Sequence, residues 1–477
     1  MHISIKVPDA TASSKTITVN SPFDGKPLST VETMDGRGAD KALQNATEVF
    51  NDRKQWLPAE QRISILEKTA ELMQERFDEL AEIAASEGGK PLSDTHAEVK
   101  RAIDGVKNCV ECIRAEHGTE IPMQLNPASA NRTAFTRREP IGVVVSFSAF
   151  NHPLNLIVHQ VAPAVATGCP VIIKPAEDTP LSAFKFVELL REAGLPDVWC
   201  QPLLTTDHDV SGQLVSDPRT DFFSFIGSSR VGWMLRSQLA PGTRCALEHG
   251  GAAPVIVAED ADLDDVLPLL AKGGFYHAGQ VCVSVQRVFA HRSIARIVAE
   301  TLAEIGSSYI VGDPLDTKTE IGPLIRPAET ERIGNWVNEA VADGAEVIGG
   351  GKQISDVFYE ATVLFDAPMD AKVSSQEIFG PVICVYPYDD LDDAIAKANA
   401  VPYSFQAAVC TINIDTALYA SSRLNASAVM VNDHTAFRVD WMPFAGLKES
   451  GYGVGGIPHT YRDMQIEKMT VIRSKQL

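Results

Sequence analysis

A chain of 477 residues is too long for one ordinary hydrophobic core and implies two or three domains. With 45% hydrophobic and 22% charged residues and a net charge of −20, it reads as globular and acidic, which argues against nucleic acid or an anionic membrane as partner. Eight irregularly spaced cysteines make no disulfide framework at this length. The stretch Met1 to Asp9 lacks a signal-peptide apolar core and no apolar run is long enough to span a bilayer, so a cytoplasmic protein is expected.

The first helix is predicted over roughly 60–86, where Ile63, Leu66, Ala70, Met73, Phe77, Leu80 and Ile83 recur at steps of three and four and Gly88-Gly89-Lys90-Pro91 ends the run. A second amphipathic helix is predicted over about 94–116. Its Cys109-Val-Glu-Cys112 has no second ligand pair nearby and reads as two packing thiols, not a metal site. From 141 the pattern changes to short apolar strands alternating with helices. The runs 141–146 and 171–174 flank a helix-like stretch from Pro153 to Thr167, and a third run ends at Phe225-Ile226. Such alternation implies βαβ units and parallel sheets. A second series runs from Pro254 through Val285–Phe289 and Val382–Tyr386 to 428–432, so the chain holds two α/β halves; the turn-rich stretches 120–134 and 443–458 are expected to be arms between them.

The chemistry concentrates at the strand ends. Cys282 follows Gly279-Gln280, small and polar residues that turn the backbone and leave a thiol open to a substrate. Glu248, with an apolar approach and Gly250-Gly251 behind it, is placed to act as a general base if burial raises its pKa; alone, a surface loop glutamate is the ordinarily favoured reading. Asn151, after a predicted strand, either donates to an oxyanion beside the Cys282 backbone N–H or makes a turn before Pro153. Lys174 and Glu177 leave the C-terminal end of a strand, where α/β proteins bind cofactors, and can hydrogen-bond ribose hydroxyls. No G-x-G-x-x-G follows the first strand, but Gly227-Ser-Ser-Arg-Val-Gly232 sits at a strand-to-helix junction whose free amides can face a pyrophosphate or simply start a helix.

These motifs resemble the aldehyde dehydrogenase superfamily in order and along nearly the whole chain: F-N-H-P ending at 153, K-P-A-E at 174, G-S-S-R-V-G at 227, L-E-H-G-G at 247, G-Q-V-C at 279, Q-E-I-F-G-P-V at 376 and P-F-A-G-L-K-E-S-G at 443. The resemblance implies Cys282 as nucleophile, Glu248 as base and Asn151 as oxyanion donor. It places Lys174 and Glu177 at the adenosine ribose, Gly227, Ser228 and Val231 near the pyrophosphate, Glu377 and Phe379 at the nicotinamide ribose and ring, and Phe150 and the backbone of His249 in the same cofactor region. It further implies two Rossmann-like α/β domains with parallel sheets and a small β arm: 1–125 with 143–247 for NAD, 248–440 for catalysis, and 126–142 with 456–477 as an oligomerisation arm in a homodimer or homotetramer. No metal is implied.

Departures from the family pattern include Phe150 for Trp, Ile226 for Thr, His249 for Leu, Ala252 for Lys and Val454-Gly455 for Arg-Glu; none removes a reacting group. F-N-H-P-L-N, G-Q-V-C-V-S-V-Q-R-V and F-R-V-D-W-M-P are similar to the lactaldehyde, glycolaldehyde and phosphonoacetaldehyde dehydrogenase subgroup, which implies a short polar aldehyde. His152, His434, Arg438 and Arg101 are the candidate donors to its hydroxyl or acid group, although Arg438 can instead pair with Asp440. Val281 offers no cation to a phosphonate. A carboxylate at Glu177 would repel a 2′-phosphate, which favours NAD, while Lys174 leaves NADP possible. A coenzyme-A acylating enzyme and a non-catalytic protein on the same fold are the alternatives; the first has no need of Glu248, and the second is at odds with retention of Cys282, Glu248 and Asn151 together.

Overall fold

The computed structural model describes residues 2–477. Val144–Phe147, Val171–Lys174, Cys200–Pro202, Phe222–Ile226 and Arg244–Glu248 pair in parallel within a six-stranded sheet, with Gly451–Tyr452 antiparallel at the Arg244–Glu248 edge. All four residues of Val144–Phe147 are buried, as expected of a strand covered by helices on both faces. A seven-stranded sheet holds Thr362–Phe365, Val382–Tyr388, Val285–His291, Ala253–Val257, Gln406–Cys410 and Ala428–Val431 in parallel, with Glu346–Gly349 antiparallel at one edge. The chain is therefore α/β with two largely parallel sheets. Among the described residues no helix is long and apolar enough to cross a membrane.

The segment expected as one helix over 60–86 is two, Ala59–Glu75 and Phe77–Gly88, broken at Arg76 with φ −109° and ψ 29°. No Gly or Pro marks the break. The second helix starts with Asp78 and Glu79 in its first turn, where carboxylates complement the open N–H groups, and it ends at left-handed Gly89. Helix Leu92–Ala115 packs on both and carries buried Cys109 and half-buried Cys112; all eight cysteines are free thiols.

A separate three-stranded antiparallel sheet joins Glu120–Ile121, Arg132–Pro140 and Gln465–Arg473, the last two in register from Gln465 opposite Pro140 to Arg473 opposite Arg132. The 443–458 stretch, expected as an arm, instead stitches the two halves together: Leu447–Lys448 pairs with Tyr403–Ser404, and Gly451–Tyr452 joins the first sheet. Beyond it Ile457–Asp463 is a helix that buries Ile457 and Tyr461 against the first half, so the final strand of the arm begins only at Gln465. Pro458 in the first turn, where its missing N–H costs nothing, starts that helix.

Candidate active site

Helix Leu263–Phe275 runs into a turn, Tyr276–Gly279, in which His277 and Ala278 adopt left-handed φ of 50° and 52° and Gly279 has φ 70°. Such angles cost non-glycine residues about 1–2 kcal/mol each, so surrounding contacts must hold the turn. Gln280 supplies them: its amide donates to the carbonyls of His277 and Pro323, both at 3.3 Å, and its Oε1 accepts from the Ile325 N–H at 3.0 Å. A Cβ at Gly279 would lie 2.0 Å from Gly380 O, so only glycine fits. The turn delivers half-buried Cys282 to the wall of a cavity of about 230 Å³. Burial pushes the thiol up to about 12; the Arg438 guanidinium opposes that, while the Glu377 and Glu248 carboxylates add to it. Cys200, Cys384 and Cys410 are pushed equally high by burial, so Cys282 is distinguished by its surroundings and not by its acidity.

Asn151, 4% exposed, donates its amide to Gln280 O at 2.9 Å, which fixes it against the loop that carries Cys282. Glu248 is the last residue of Arg244–Glu248, and its carboxylate rests over Gly455, where a Cβ would lie 1.9 Å from Oε1. Burial raises its pKa and Arg438 partly offsets the rise, the environment a proton-accepting carboxylate needs. The Val454-Gly455 departure therefore has a steric consequence: glycine leaves room for the base.

His249 behaves differently from expectation. Its side chain turns beneath helix Ser229–Arg236, 2% exposed, with Nδ1 3.1 Å from Gly227 O and ring centroids 5.6 Å from Phe225 and 5.9 Å from Trp233. A carbonyl partner makes Nδ1 the protonated nitrogen, Nε2 is buried without a partner, and burial lowers the pKa, so the ring is neutral. Its backbone N–H donates to Ser450 O at 3.0 Å and is not free for a cofactor. Gly232 is required beneath the ring, since a Cβ there would meet Cε1 at 1.9 Å.

The other cofactor candidates lie along the same edge. Phe222–Ile226 ends and helix Ser229–Arg236 begins across Gly227-Ser228, and Ser228 caps without a side-chain hydrogen bond, leaving first-turn N–H groups open to an anion. Val231 faces inward, packed against the cluster that includes Phe223 and Phe225. Lys174 lies 3.7 Å from Glu177 and 5.7 Å from the centre of the Phe147 ring. Glu377 fills the notch of Gly250, where a Cβ would be 1.5 Å from its Oε1; that oxygen is buried without a partner and burial pushes the carboxyl up to about 8. Phe379, at φ 50°, sets its ring edge-on to Phe150 at 5.8 Å. Open helix amides, an orphaned carboxyl oxygen and flat apolar rings are what phosphates, ribose hydroxyls and a heteroaromatic ring would each engage.

All four candidate substrate residues line the cavity with Cys282. Arg101 is engaged bidentately by Asp440, Nε at 3.1 Å and Nη2 at 2.7 Å. Asp440 also accepts from His159 Nε2 at 2.7 Å and Asn155 Nδ2 at 3.2 Å, and these donors hold its carboxyl well below the usual range. The alternative in which Arg438 pairs with Asp440 holds in a looser form: the two are 3.9 Å apart, while Arg438 also lies over the Phe444 ring at 3.5 Å, reaches His159 Nδ1 at 3.4 Å and feels the Glu248 carboxylate. His152 Nδ1 accepts from Lys90 at 2.8 Å, and His434 Nδ1 accepts from the Ala436 N–H at 3.1 Å.

Lys90, Glu98, Asn155 and His159 were not singled out in the sequence as site residues, and Asp440 was named only as a partner for Arg438. Lys90 is fully buried and ion-paired to Glu98, whose other oxygen accepts from the Leu154 and Asn155 N–H groups at 2.9 Å each. A signal existed: His152, Asn155, Leu156 and His159 share one helical face, and Asn155 and His159 are polar within a run that is otherwise almost wholly apolar and buried.

The model of the aldehyde dehydrogenase family matches residues 10–470. The chain is 37% identical over 454 residues to a 3-sulfolactaldehyde dehydrogenase of Priestia aryabhattai, covering 95% of this chain and 94% of that one. It is 33% identical over 462 residues to a lactaldehyde dehydrogenase of Methanocaldococcus jannaschii, covering 96% and 97%. The crystal structure of a glyceraldehyde-3-phosphate dehydrogenase of the same organism, complexed with NADP, superimposes with a TM-score of 0.92 at 31% identity over 97% of this chain and 100% of that one. The chain belongs to the aldehyde dehydrogenase family.

Proposed function

We propose that this aldehyde dehydrogenase oxidises a short, polar aldehyde to its carboxylic acid through a thioester on Cys282, with NAD as the favoured acceptor and NADP tolerated. The observation that carries this is the meeting of Cys282, the Asn151 amide on the Gln280 carbonyl and a buried Glu248 beside one small cavity. Burial keeps the thiol protonated at rest, so attack must be accompanied by loss of its proton to solvent at the half-buried Sγ, which leaves the Glu248 carboxylate ionised for the later step. As Sγ bonds to the carbonyl carbon, the oxygen becomes an oxyanion that the Asn151 amide and the Cys282 N–H would hold. Loss of hydride from the thiohemiacetal carbon would give the thioester, and a bound NAD would supply the hydride acceptor. Glu248 then takes a proton from water as the water oxygen attacks; the C–S bond breaks, the acid leaves and the thiol is restored.

Gly227, Ser228 and the helix they open would bind the pyrophosphate, Glu177 and Lys174 one ribose, and Glu377 the other, with Phe379 and Phe150 near the ring; His249 would hold the Gly227 turn from beneath. In this reading 1–125 with 143–247 form the cofactor domain and 248–440 the catalytic domain. The arm of 126–142 and, in place of the expected 456–477, the strand from Gln465 onward exposes Phe135, Met469, Val471 and Ile472 and bridges subunits of a dimer or tetramer. Lactaldehyde and 3-sulfolactaldehyde, named for two relatives, are short polar aldehydes. The test is stoichiometric: with NAD and a panel of short aldehydes, NADH and free acid form one for one, coenzyme A changes nothing, and Glu248→Gln gives a single burst of NADH followed by slow turnover. Absence of NADH with every aldehyde, or full turnover by Cys282→Ser, overturns the reading.

A further inference from the structure

A buried charge pair stands behind the cavity, apart from the proposed reacting groups. Lys90 is fully buried and ion-paired to Glu98, itself 2% exposed. Lys90 Nζ also lies 2.8 Å from His152 Nδ1. Glu98 Oε2 is 3.9 Å from the same nitrogen, beyond hydrogen-bond reach, and serves Lys90. An ammonium has donors and no acceptor, so the imidazole nitrogen it touches must offer a lone pair. Burial lowers the Lys90 pKa and the Glu98 carboxylate opposes that fall, which keeps the donor charged. The single proton of the neutral ring is therefore on Nε2, and the 12% exposed side chain opens on the cavity that Cys282 lines.

We propose that Lys90 is a positioning residue: through Nδ1 it holds His152 as the neutral Nε2–H tautomer, a donor of fixed polarity for an oxygen of the bound aldehyde, resting on the reading that Cys282 attacks an aldehyde in this cavity. Being fully buried, Lys90 acts only through the histidine. The same ion pair sets where that donor stands. Glu98 Oε1 accepts from the Leu154 and Asn155 N–H groups at 2.9 Å each, and the Asn151 amide donates to Gln280 O at 2.9 Å. The turn from 151 to 155 is thus gripped at both ends, with Lys90 on the residue between. The other titratable groups that face the ring offer it no acceptor charge. Arg101 and Arg438 are cations, while Tyr276 and His277, with ring centroids 6.1 and 6.4 Å away, are neutral. Burial first, and these cations with Lys90 after it, hold the His152 pKa well below the usual histidine value, so the ring draws no proton that Glu248 must take. Glu98 is the one carboxylate beside it, and without Lys90 that charge would draw the ring's proton to Nδ1.

The test uses the full-length enzyme with its histidine rings isotopically labelled for nitrogen NMR, the His152 signals being those lost in His152→Asn. From about pH 6 to about pH 8 wild type should show Nε2 protonated and Nδ1 bare. Lys90→Met leaves the Glu98 carboxylate as the charge nearest Nδ1, so the proton should move there. At about pH 8 the NADH burst of that variant with a short polar aldehyde should slow roughly tenfold, the value of about one lost hydrogen bond. Its ring now has a carboxylate partner and a raised pKa, so towards pH 6 it should take a second proton on Nε2 and the burst should recover relative to wild type. A lysine that only supports the fold would lower the unfolding temperature without this pH step. A proton on Nδ1 in wild type, an unchanged tautomer in Lys90→Met, or a burst loss equal at both pH values would each overturn the proposal; the wild-type spectrum decides alone if the variant does not fold. If no aldehyde yields NADH while the proton sits on Nε2 in wild type and on Nδ1 in Lys90→Met, the dehydrogenase reading fails and the hold of Lys90 on His152 stands.

Discussion

Asp440→Asn is the sharpest test of how the cavity is built. Oδ1 of Asp440 accepts from Arg101 Nη2, His159 Nε2 and Asn155 Nδ2, and Oδ2 accepts from Arg101 Nε, so both oxygens face only donors. Asparagine puts an NH₂ at one of the two positions whichever way it turns. The less damaging choice places it at the Oδ2 position, which loses one Arg101 contact and leaves Arg101 without its counter-charge. Breaking a buried pair by removing one partner costs about 3–5 kcal/mol, and because the Arg101 side chain keeps 30% of its exposure the lower end applies, about 3 kcal/mol.

The pH dependence gives the same test a sign. The folded Asp440 carboxyl lies well below its ordinary value because His159 and Arg101 donate to it. Its stabilising contribution is therefore complete above the unfolded value of about 4 and is lost as pH falls below that. Urea unfolding followed by tryptophan fluorescence should show the variant destabilised at pH 7, with the two proteins converging as the pH is lowered from about 5. A loss under about 1 kcal/mol at pH 7, or a gap that is the same at pH 7 and pH 3, would refute the pairing of Arg101 with Asp440 as the stabilising contact.

Two other outcomes follow from buried carboxyls. Glu377, pushed up to about 8, is mostly protonated in the free enzyme at neutral pH, whereas ribose hydroxyls donate to the ionised form; NAD binding should therefore release a proton and tighten as pH rises from 6 to about 8, then level off. Calorimetry in buffers of different ionisation heat reads both effects, and an unchanged pH profile in Glu377→Gln would contradict the assignment. Gly455→Ala sets a methyl 1.9 Å from Glu248 Oε1, which the flexible end of that side chain can escape for about 1 kcal/mol of stability. The NADH burst should survive while the later, water-dependent turnover slows by at least about tenfold; equal rates in both phases would show that the Glu248 position does not matter to hydrolysis.

How much of this was legible in the sequence depended on distance along the chain. Val171–Lys174 and Val144–Phe147 are buried on both faces, so an apolar run with turn residues around it was enough to find them. The break at Arg76 left no trace because the apolar spacing continues through it and no residue there forbids a helix. Cys282, Glu248 and Asn151, the proposed nucleophile, base and oxyanion donor, were visible as motifs, each tied to a strand end or a glycine turn. Arg101 and Asp440 are 339 positions apart, and no local pattern announces that this pair would form. Local spacing pointed to Arg438, close to Asp440 in sequence, and that pair is present but looser, 3.9 Å apart at its nearest charged atoms.

His249 shows the same limit from the other side. Beside the base and before two glycines, it invites a chemical role, and a solvent-exposed histidine there would compete with Glu248 for protons. Its neighbours decide otherwise. With Gly232 removing the Cβ beneath it, Gly227 O holding Nδ1–H, and Phe225 and Trp233 on its faces, the ring is a strut between the strand that carries Glu248 and the turn that opens helix Ser229–Arg236. Protonation would place a second N–H at Nε2, which is buried with no acceptor, so the charged form is excluded for the reason that lowers its pKa. The consequence is mechanical: Glu248 and the turn that would cradle pyrophosphate are fixed to one another through a buried side chain, and a shift of either should be felt by the other.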